Sequence, residues 1–193
     1  ATSPFTGFYE ASGPHMRARR NRRLPVEICT DRLILRPIVP ADFDALMEIM
    51  NSRHVREVWG HAFSPEDVRQ WIAKRRKGYA ENGADYLLAV SRETGEPVGQ
   101  AGLLKEEMDG KPVWGIGWIL GEKHEGKGYA TESARALAAY AFTVMGLPEI
   151  CCDIRPENEK SRAVPARLGM EKCGQFVKIY RGAEMPHDIF RLK

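Results

Sequence analysis

Gly121-Glu122-Lys123-His124-Glu125-Gly126-Lys127-Gly128-Tyr129-Ala130 lies between an apolar run, Val113 to Leu120, and a stretch in which Ala130, Ala134, Leu137, Ala138, Ala141, Phe142 and Met145 repeat at steps of three and four residues. The run reads as a strand, and the repeat as an amphipathic helix that ends at Gly146 with Pro148 beyond. Glycines between a strand and a helix start let backbone N–H groups approach an anion closely. The helix dipole and its unpaired first donors add to that attraction, so the loop is suited to phosphate.

Three phosphate-binding patterns compete for this loop. A P-loop requires a Ser or Thr after the Gly-Lys pair to hold magnesium; Gly121 to Lys127 fits until that position, where Gly128 stands instead. A dinucleotide fingerprint needs a third glycine at position 131, which is Thr131, and a parallel strand unit at the start of the fold. The third pattern, a pyrophosphate cradle of form xxGxG at a helix start, needs no metal, and the loop satisfies it.

Working outward, Arg32 to Arg36 is a branched run stopped by Pro37 and reads as a strand; Asp42 to Met50 spaces Phe43, Leu46, Met47 and Met50 as a helix. Ser64-Pro65-Glu66-Asp67 announces a second helix, with an N-cap, a proline at the first position and acids in the first turn. Tyr86–Val90, Pro97–Leu104 and Val113–Leu120 form an antiparallel meander, separated by Glu93-Thr94-Gly95 and Met108-Asp109-Gly110-Lys111. After the central helix come a strand at Ile150–Ile154, a short helix at Glu159–Leu168 closed by Gly169, and strands near Phe176–Tyr180 and Ile189–Leu192. The expected fold is α+β, with a strand–helix–strand crossover near its centre.

The 193 residues are 43% hydrophobic and 28% charged, an ordinary globular composition with length for one domain. No apolar run approaches the ~18 residues of a membrane span, so a soluble cytoplasmic protein is expected, with no membrane partner. Net charge is +3, but Arg17, Arg19, Arg20, Arg22 and Arg23 account for the excess, and residues 24–193 are nearly neutral. That body carries no footprint for specific nucleic-acid binding; the arginine-rich arm is a candidate only for weak RNA or ribosome contact. Gly13-Pro14-His15-Met16 resembles a protease scar, so residues 1–15 read as an expression tag, 16–29 as a basic arm and 30–193 as the domain. Cys29, Cys151, Cys152 and Cys173 form no CxxC and suggest neither a zinc site nor a disulfide framework.

Thr30-Asp31-Arg32-Leu33-Ile34-Leu35-Arg36-Pro37, Gly117-Trp118-Ile119-Leu120, Gly126-Lys127-Gly128-Tyr129-Ala130-Thr131-Glu132, Asn158-Glu159-Lys160-Ser161 and Arg167-Leu168-Gly169-Met170 follow one another in the order and spacing of the GNAT acyl-CoA-dependent N-acyltransferases. Together they resemble the Rim-type ribosomal-protein N-acetyltransferases most closely, over about Thr30 to Lys193. The resemblance implies a mixed, twisted sheet of about six or seven strands, splayed at the acyl-CoA site and flanked by about four helices. It also implies direct acetyl transfer from acetyl-CoA to a primary amine, with no metal, in a monomer or homodimer. A protein N-terminal α-amine is the favoured acceptor. The alternatives are a small-molecule amine (a polyamine, an amino acid or an antibiotic) and a non-catalytic acyl-CoA-binding module.

Carried over residue by residue, the resemblance places the pyrophosphate on the backbone N–H groups of Gly126, Lys127, Gly128, Tyr129 and Ala130. It places pantetheine along Trp118, Ile119 and Leu120, where an N–H would polarise the thioester carbonyl. Asn158 matches a side-chain amide that bonds pantetheine, and Ser161 a hydroxyl near the thioester sulfur, a candidate general acid; alone, both residues equally suit a plain helix start. Lys123, Lys127, Lys160 and Arg162 are candidates for the CoA 3′-phosphate, Lys127 first. Two positions depart from the wider family: Gly115 stands where many relatives carry a general-base Glu, and Pro165 where a Tyr is common. A base is therefore sought elsewhere, at Glu57, or at Glu106 or Glu107, any of which could act through a water. An α-amine, with a pKa of ~7.7–8.0, needs such help less than a lysine-like amine near ~10.4.

Overall fold

The computed structural model describes residues 27–193; the expected tag and the basic arm through residue 26 lie outside the described residues. The described chain forms one eight-stranded sheet, in the order β1-β2-β3-β4-β5-β6-β8-β7, with five α-helices and two short 3-10 turns. The strands are β1 (Ile28–Cys29), β2 (Leu33–Pro37), β3 (Tyr86–Ser91), β4 (Pro97–Met108), β5 (Lys111–Leu120), β6 (Ile150–Ile154), β7 (Glu171–Tyr180) and β8 (Ala183–Leu192). The helices are α1 (Phe43–Met50), α2 (Arg53–Trp59), α3 (Pro65–Asn82), α4 (Tyr129–Thr143) and α5 (Glu159–Leu168).

Both counts exceed the sequence expectation by one. The extra strand, β1, is two residues long, too short for any period, and exists because Ile28 and Cys29 pair with Leu35 and Ile34. The extra helix, α2, makes fewer than two turns and fully buries Val55 alone, so no apolar stripe announces it. It stops at Gly60, whose φ of +76° admits the left-handed cap. The start of α3 follows the expected chemistry: Ser64 accepts from the Asp67 N–H while Asp67 accepts from the Ser64 N–H. The meander strands run longer than expected, because Asp109 and Gly110 both take positive φ and make a tight two-residue turn that lets pairing continue to Met108 and Lys111.

Strands β1 to β5 are antiparallel neighbours, and so are β6, β8 and β7. Between these blocks β5 and β6 run parallel and share a single registered pair, Gly115 with Cys151. Past that pair the strands part, leaving the β6-facing edge of β5 from Ile116 to Leu120 without a strand partner. Helices α4 and α5 cover one face through Ala134, Leu137, Ala138, Ala141, Val164 and Leu168; α1, α2 and α3 cover the other through Leu46, Ile49, Val55, Val68 and Ile72. Each residue named is buried, and at ~1.5–3 kcal/mol for each large side chain these two apolar layers supply the main drive to fold.

Candidate active site

The gap opens into a cleft of about 480 Å³. Trp118, Ile119 and Leu120 of β5, Gly126, Gly128 and Ala130 of the loop, and Asn158 and Ser161 of α5 all line it. Lys127 and Tyr129 contribute no lining; their expected part in the cradle belongs to backbone, and the Lys127 side chain, the first candidate for the 3′-phosphate, lies outside the lining.

Gly126 and Gly128 take φ of +72° and +83°, a conformation in which successive N–H groups turn to one side. Among the described residues, the N–H groups of residues 126–131 find no acceptor, and the first helical bond here is from the Glu132 N–H to the Gly128 carbonyl. Arg32 holds the loop in this shape. Its Nη1 donates to the Lys127 carbonyl at 2.9 Å, its Nε donates to Glu132 Oε2 at 2.7 Å, and its guanidinium lies 4.7 Å from the centre of the Tyr129 ring. Thr30 Oγ1 and the Arg32 N–H both donate to Glu132 Oε1. These bonds to Thr30 and Arg32 hold the Glu132 carboxyl below the usual carboxylate range, against the opposing effect of its burial. Arg32 and Glu132 stood inside the quoted motifs, but a single sequence carries no signal that residues a hundred positions apart are partners.

On α5, Asn158 does two things with one side chain. Its Oδ1 accepts from the Ser161 N–H at 3.2 Å, capping the helix, which leaves Nδ2 with no protein partner among the described residues and free to donate into the cleft. The Ser161 hydroxyl, one turn on, is likewise without a protein partner among the described residues. Pro165 continues the helix but lacks the N–H that the Ser161 carbonyl would otherwise accept.

The expected phosphate-binding cations separate. Lys123 is bound to Glu48 at 2.7 Å and Arg162 to buried Asp188, so neither faces the cleft; Lys160 lines it but is held by Glu125 at 2.6 Å. Arg167, which the sequence placed in a family motif but not among the phosphate-binding cations, lines the cleft beside Thr131. The candidate bases separate too. Glu57 does not reach the site: it is 64% exposed on the outer side of α2, near Arg53. Glu107 is exposed. Glu106 is half-buried, on the α1–α3 face of the sheet. The cleft gains His54, Val55, Val58 and Trp59 from α2, the helix that sequence patterning missed. Trp59 stands edge-on to Trp71 and Tyr180.

An N–H cradle at a helix start, an unpaired strand edge leading away from it and a free amide across the gap fit an acyl-CoA: pyrophosphate, a chain of pantetheine amides, then a thioester. A model of the acetyltransferase (GNAT) domain matches residues 32–171, the stretch from the loop-holding Arg32 to the first residue of β7. The chain belongs to the GNAT acetyltransferases. The GNAT chain is 29% identical to an uncharacterized N-acetyltransferase, YnaD, of Bacillus subtilis, over 79% of this chain and 87% of that protein. It is 25% identical to the [ribosomal protein uS5]-alanine N-acetyltransferase of Escherichia coli, over 80% and 82%. Among solved structures, a GNAT-family acetyltransferase from Bacillus anthracis superposes with a TM-score of 0.73 at 25% identity, covering 86% of this chain and 97% of that one. The protein is thus an acyltransferase of the acetyl-CoA-using kind, acting on an amine. No group of three or more metal-ligating side chains is found among the described residues, and no helix among them is long and apolar enough to cross a membrane.

Proposed function

We propose that this acetyltransferase modifies the N-terminal α-amine of a protein or peptide, with Gly126, Lys127, Gly128, Tyr129 and Ala130 binding pyrophosphate through their N–H groups. Trp118, Ile119 and Leu120 pair with pantetheine, and an N–H at Ile119 or Leu120 polarises the thioester carbonyl, where preorganised donors meet developing negative charge. Acetyl-CoA supplies an activated acyl carbon and a good leaving group. Asn158 Nδ2 orients the pantetheine chain, and the Ser161 hydroxyl lies placed to return a proton to the departing sulfur. Much of the rate comes from holding amine and thioester in register.

One observation carries the choice of acceptor. Of the residues lining the cleft only Glu125 bears a carboxylate, and Lys160 already neutralises it; Glu106, over Gly115 and outside that lining, adds a single acid and not an acidic wall. A polyamine or aminoglycoside brings several positive charges and calls for an acidic wall; a peptide α-amine brings one ionisable nitrogen that is partly neutral at pH 7. Val55, Val58 and Trp59 give an apolar approach to it. The relative acting on an alanine of ribosomal protein uS5 points the same way.

Release of CoA thiol from acetyl-CoA, measured against N-terminal peptides, polyamines and aminoglycosides, tests this. Turnover on peptides alone is expected, and Ser161→Ala should slow it. Turnover confined to polyamines or aminoglycosides overturns the acceptor assignment.

A further inference from the structure

Gly115 leaves a gap in the sheet surface, and the side chain of a neighbouring strand fills it. Gly115 of β5 pairs with Leu104 of β4, so Glu106, two residues along β4, stands on the same face of the sheet. Its carboxyl group leans back over Gly115: a Cβ there would collide with Glu106 Oε1 and lie 2.7 Å from Cδ. The same happens one step on, where a Cβ on Gly117 would collide with the Tyr86 hydroxyl and lie 2.9 Å from Cζ. Two glycines thus make two slots, one holding a carboxylate and the other a phenol. The first slot sits on the pair Gly115–Cys151, the apex from which β5 and β6 diverge.

From this geometry we infer that Glu106 is the general base of the acetyl transfer, a carboxylate delivered to the apex of the gap from β4 in place of one rooted on β5. The inference rests on acetyl transfer to an amine and not on which amine is used. As the amine nitrogen attacks the thioester carbonyl and the C–N bond forms, Glu106 accepts the proton that nitrogen loses, directly or through one water. The C–S bond then breaks, the thiolate takes the Ser161 hydroxyl proton, solvent returns a proton to Ser161, and Glu106 releases its own to solvent. The products are the acetamide and CoA thiol.

The surroundings suit that task. Glu106 forms no hydrogen bond or ion pair with any described residue, so its oxygens are uncommitted. The titratable and charged groups within electrostatic reach of it are Tyr86 from β3, Lys74 and Arg75 from α3, Cys151, Cys152 and Asp153 from β6, and Lys178 from β7. Lys178 is bound to Asp153 at 2.6 Å, and His187 of β8 lies against the same Asp153. Arg75 is taken by Asp85 at 3.0 Å. Burial, then the Asp153 carboxylate, push the Glu106 carboxyl up to about 7, with the three cations pulling the other way. A base titrating near the working pH combines a useful ionised fraction with a useful affinity for the proton.

The test compares wild type, Glu106→Gln and the double variant Glu106→Ala/Gly115→Glu, which vacates the slot and returns a carboxylate to it from β5. Each is assayed with whichever primary amine the wild type turns over best, peptide or small molecule, so failure of the N-terminal reading leaves this test intact. Glu106→Gln should lower kcat by about 100-fold or more while the KM for acetyl-CoA stays within about twofold. Below about pH 7, log kcat/KM for the wild type should climb with a slope near 2, one ionisation from the amine and one from the carboxyl, falling to 1 in Glu106→Gln. The double variant should recover part of kcat and the second ionisation. A Glu106→Gln enzyme within about threefold of wild type, or one that keeps the steeper slope, overturns the assignment. So does a folded double variant that recovers neither kcat nor slope.

Discussion

Arg32 Nε and Nη2 both reach Glu132 Oε2, at 2.7 Å each, across a hundred residues of chain. The pair ties the first turn of α4 to the strand entrance at β2, and through the Lys127 carbonyl it holds the loop whose N–H groups form the cradle. Glu132→Ala should therefore weaken acetyl-CoA binding about tenfold, roughly 1.4 kcal/mol, with kcat within about twofold. Calorimetric titration with CoA, beside a KM and kcat measurement, checks it. An unchanged affinity would mean the loop keeps its shape unaided.

The two loop glycines should differ in their response to alanine. Both need positive φ, which costs an alanine about 1–2 kcal/mol, but a Cβ on Gly128 also meets Arg32 Nη2 at 3.4 Å, whereas one on Gly126 meets nothing within 4 Å. Gly128→Ala is expected to lose the greater part of CoA affinity, with Gly126→Ala the milder. Equal losses would place the cost in backbone conformation alone.

Gly78 sits inside α3, where replacing glycine by alanine ordinarily stabilises by about 1 kcal/mol. Here the added Cβ would collide with Asp85 Oδ2 and lie 2.8 Å from Cγ, and Asp85 is the buried partner of Arg75, itself 3% exposed. Displacing one member of such a pair leaves a desolvated charge uncompensated. Gly78→Ala should destabilise by about 2–3 kcal/mol in urea unfolding, the reverse of the propensity effect.

Asp188, 2% exposed on β8, is held by Lys172 at 2.8 Å, by Arg162, and by Gln175 Nε2 at 2.6 Å, and these bonds keep its carboxyl far below the usual range. A depressed folded-state pKa contributes stability that is complete above the unfolded value and is lost as pH falls toward the folded one. Asp188→Asn should cost about 3 kcal/mol at neutral pH. The gap from wild type should hold down to about pH 4 and narrow below it. A gap that widens in acid would reverse the sign of the linkage.

Much of this architecture was readable from residue order. Ser64-Pro65-Glu66-Asp67 marks a helix start wherever it occurs, and Ile150–Ile154 and Glu159–Leu168 fell where their patterns put them, because caps and periods are local chemistry. The loop was legible for the same reason, its glycines and helix start being contiguous. Glu106 was not separable from Glu57 or Glu107 in the sequence. What distinguishes it is the register of β4 on β5, which brings a side chain opposite Val113 back over Gly115. The α2 wall escaped because seven residues with a single buried side chain carry no period.

The single Gly115–Cys151 pair also bears on what the protein excludes. An unpaired strand edge on the outside of a sheet invites other strands and, with them, aggregation. Here the free edge from Ile116 to Leu120 is recessed in the middle of the sheet, with Val58 and Trp59 above it and α5 across from it. A folded neighbour is too thick to enter, and a polypeptide strand would carry side chains into the space that Ile119 and Val164 occupy. If pantetheine lies along this edge as proposed, the recess acts as a gauge, wide enough for a thin, extended amide chain and too narrow for the proteins that would otherwise pair with it.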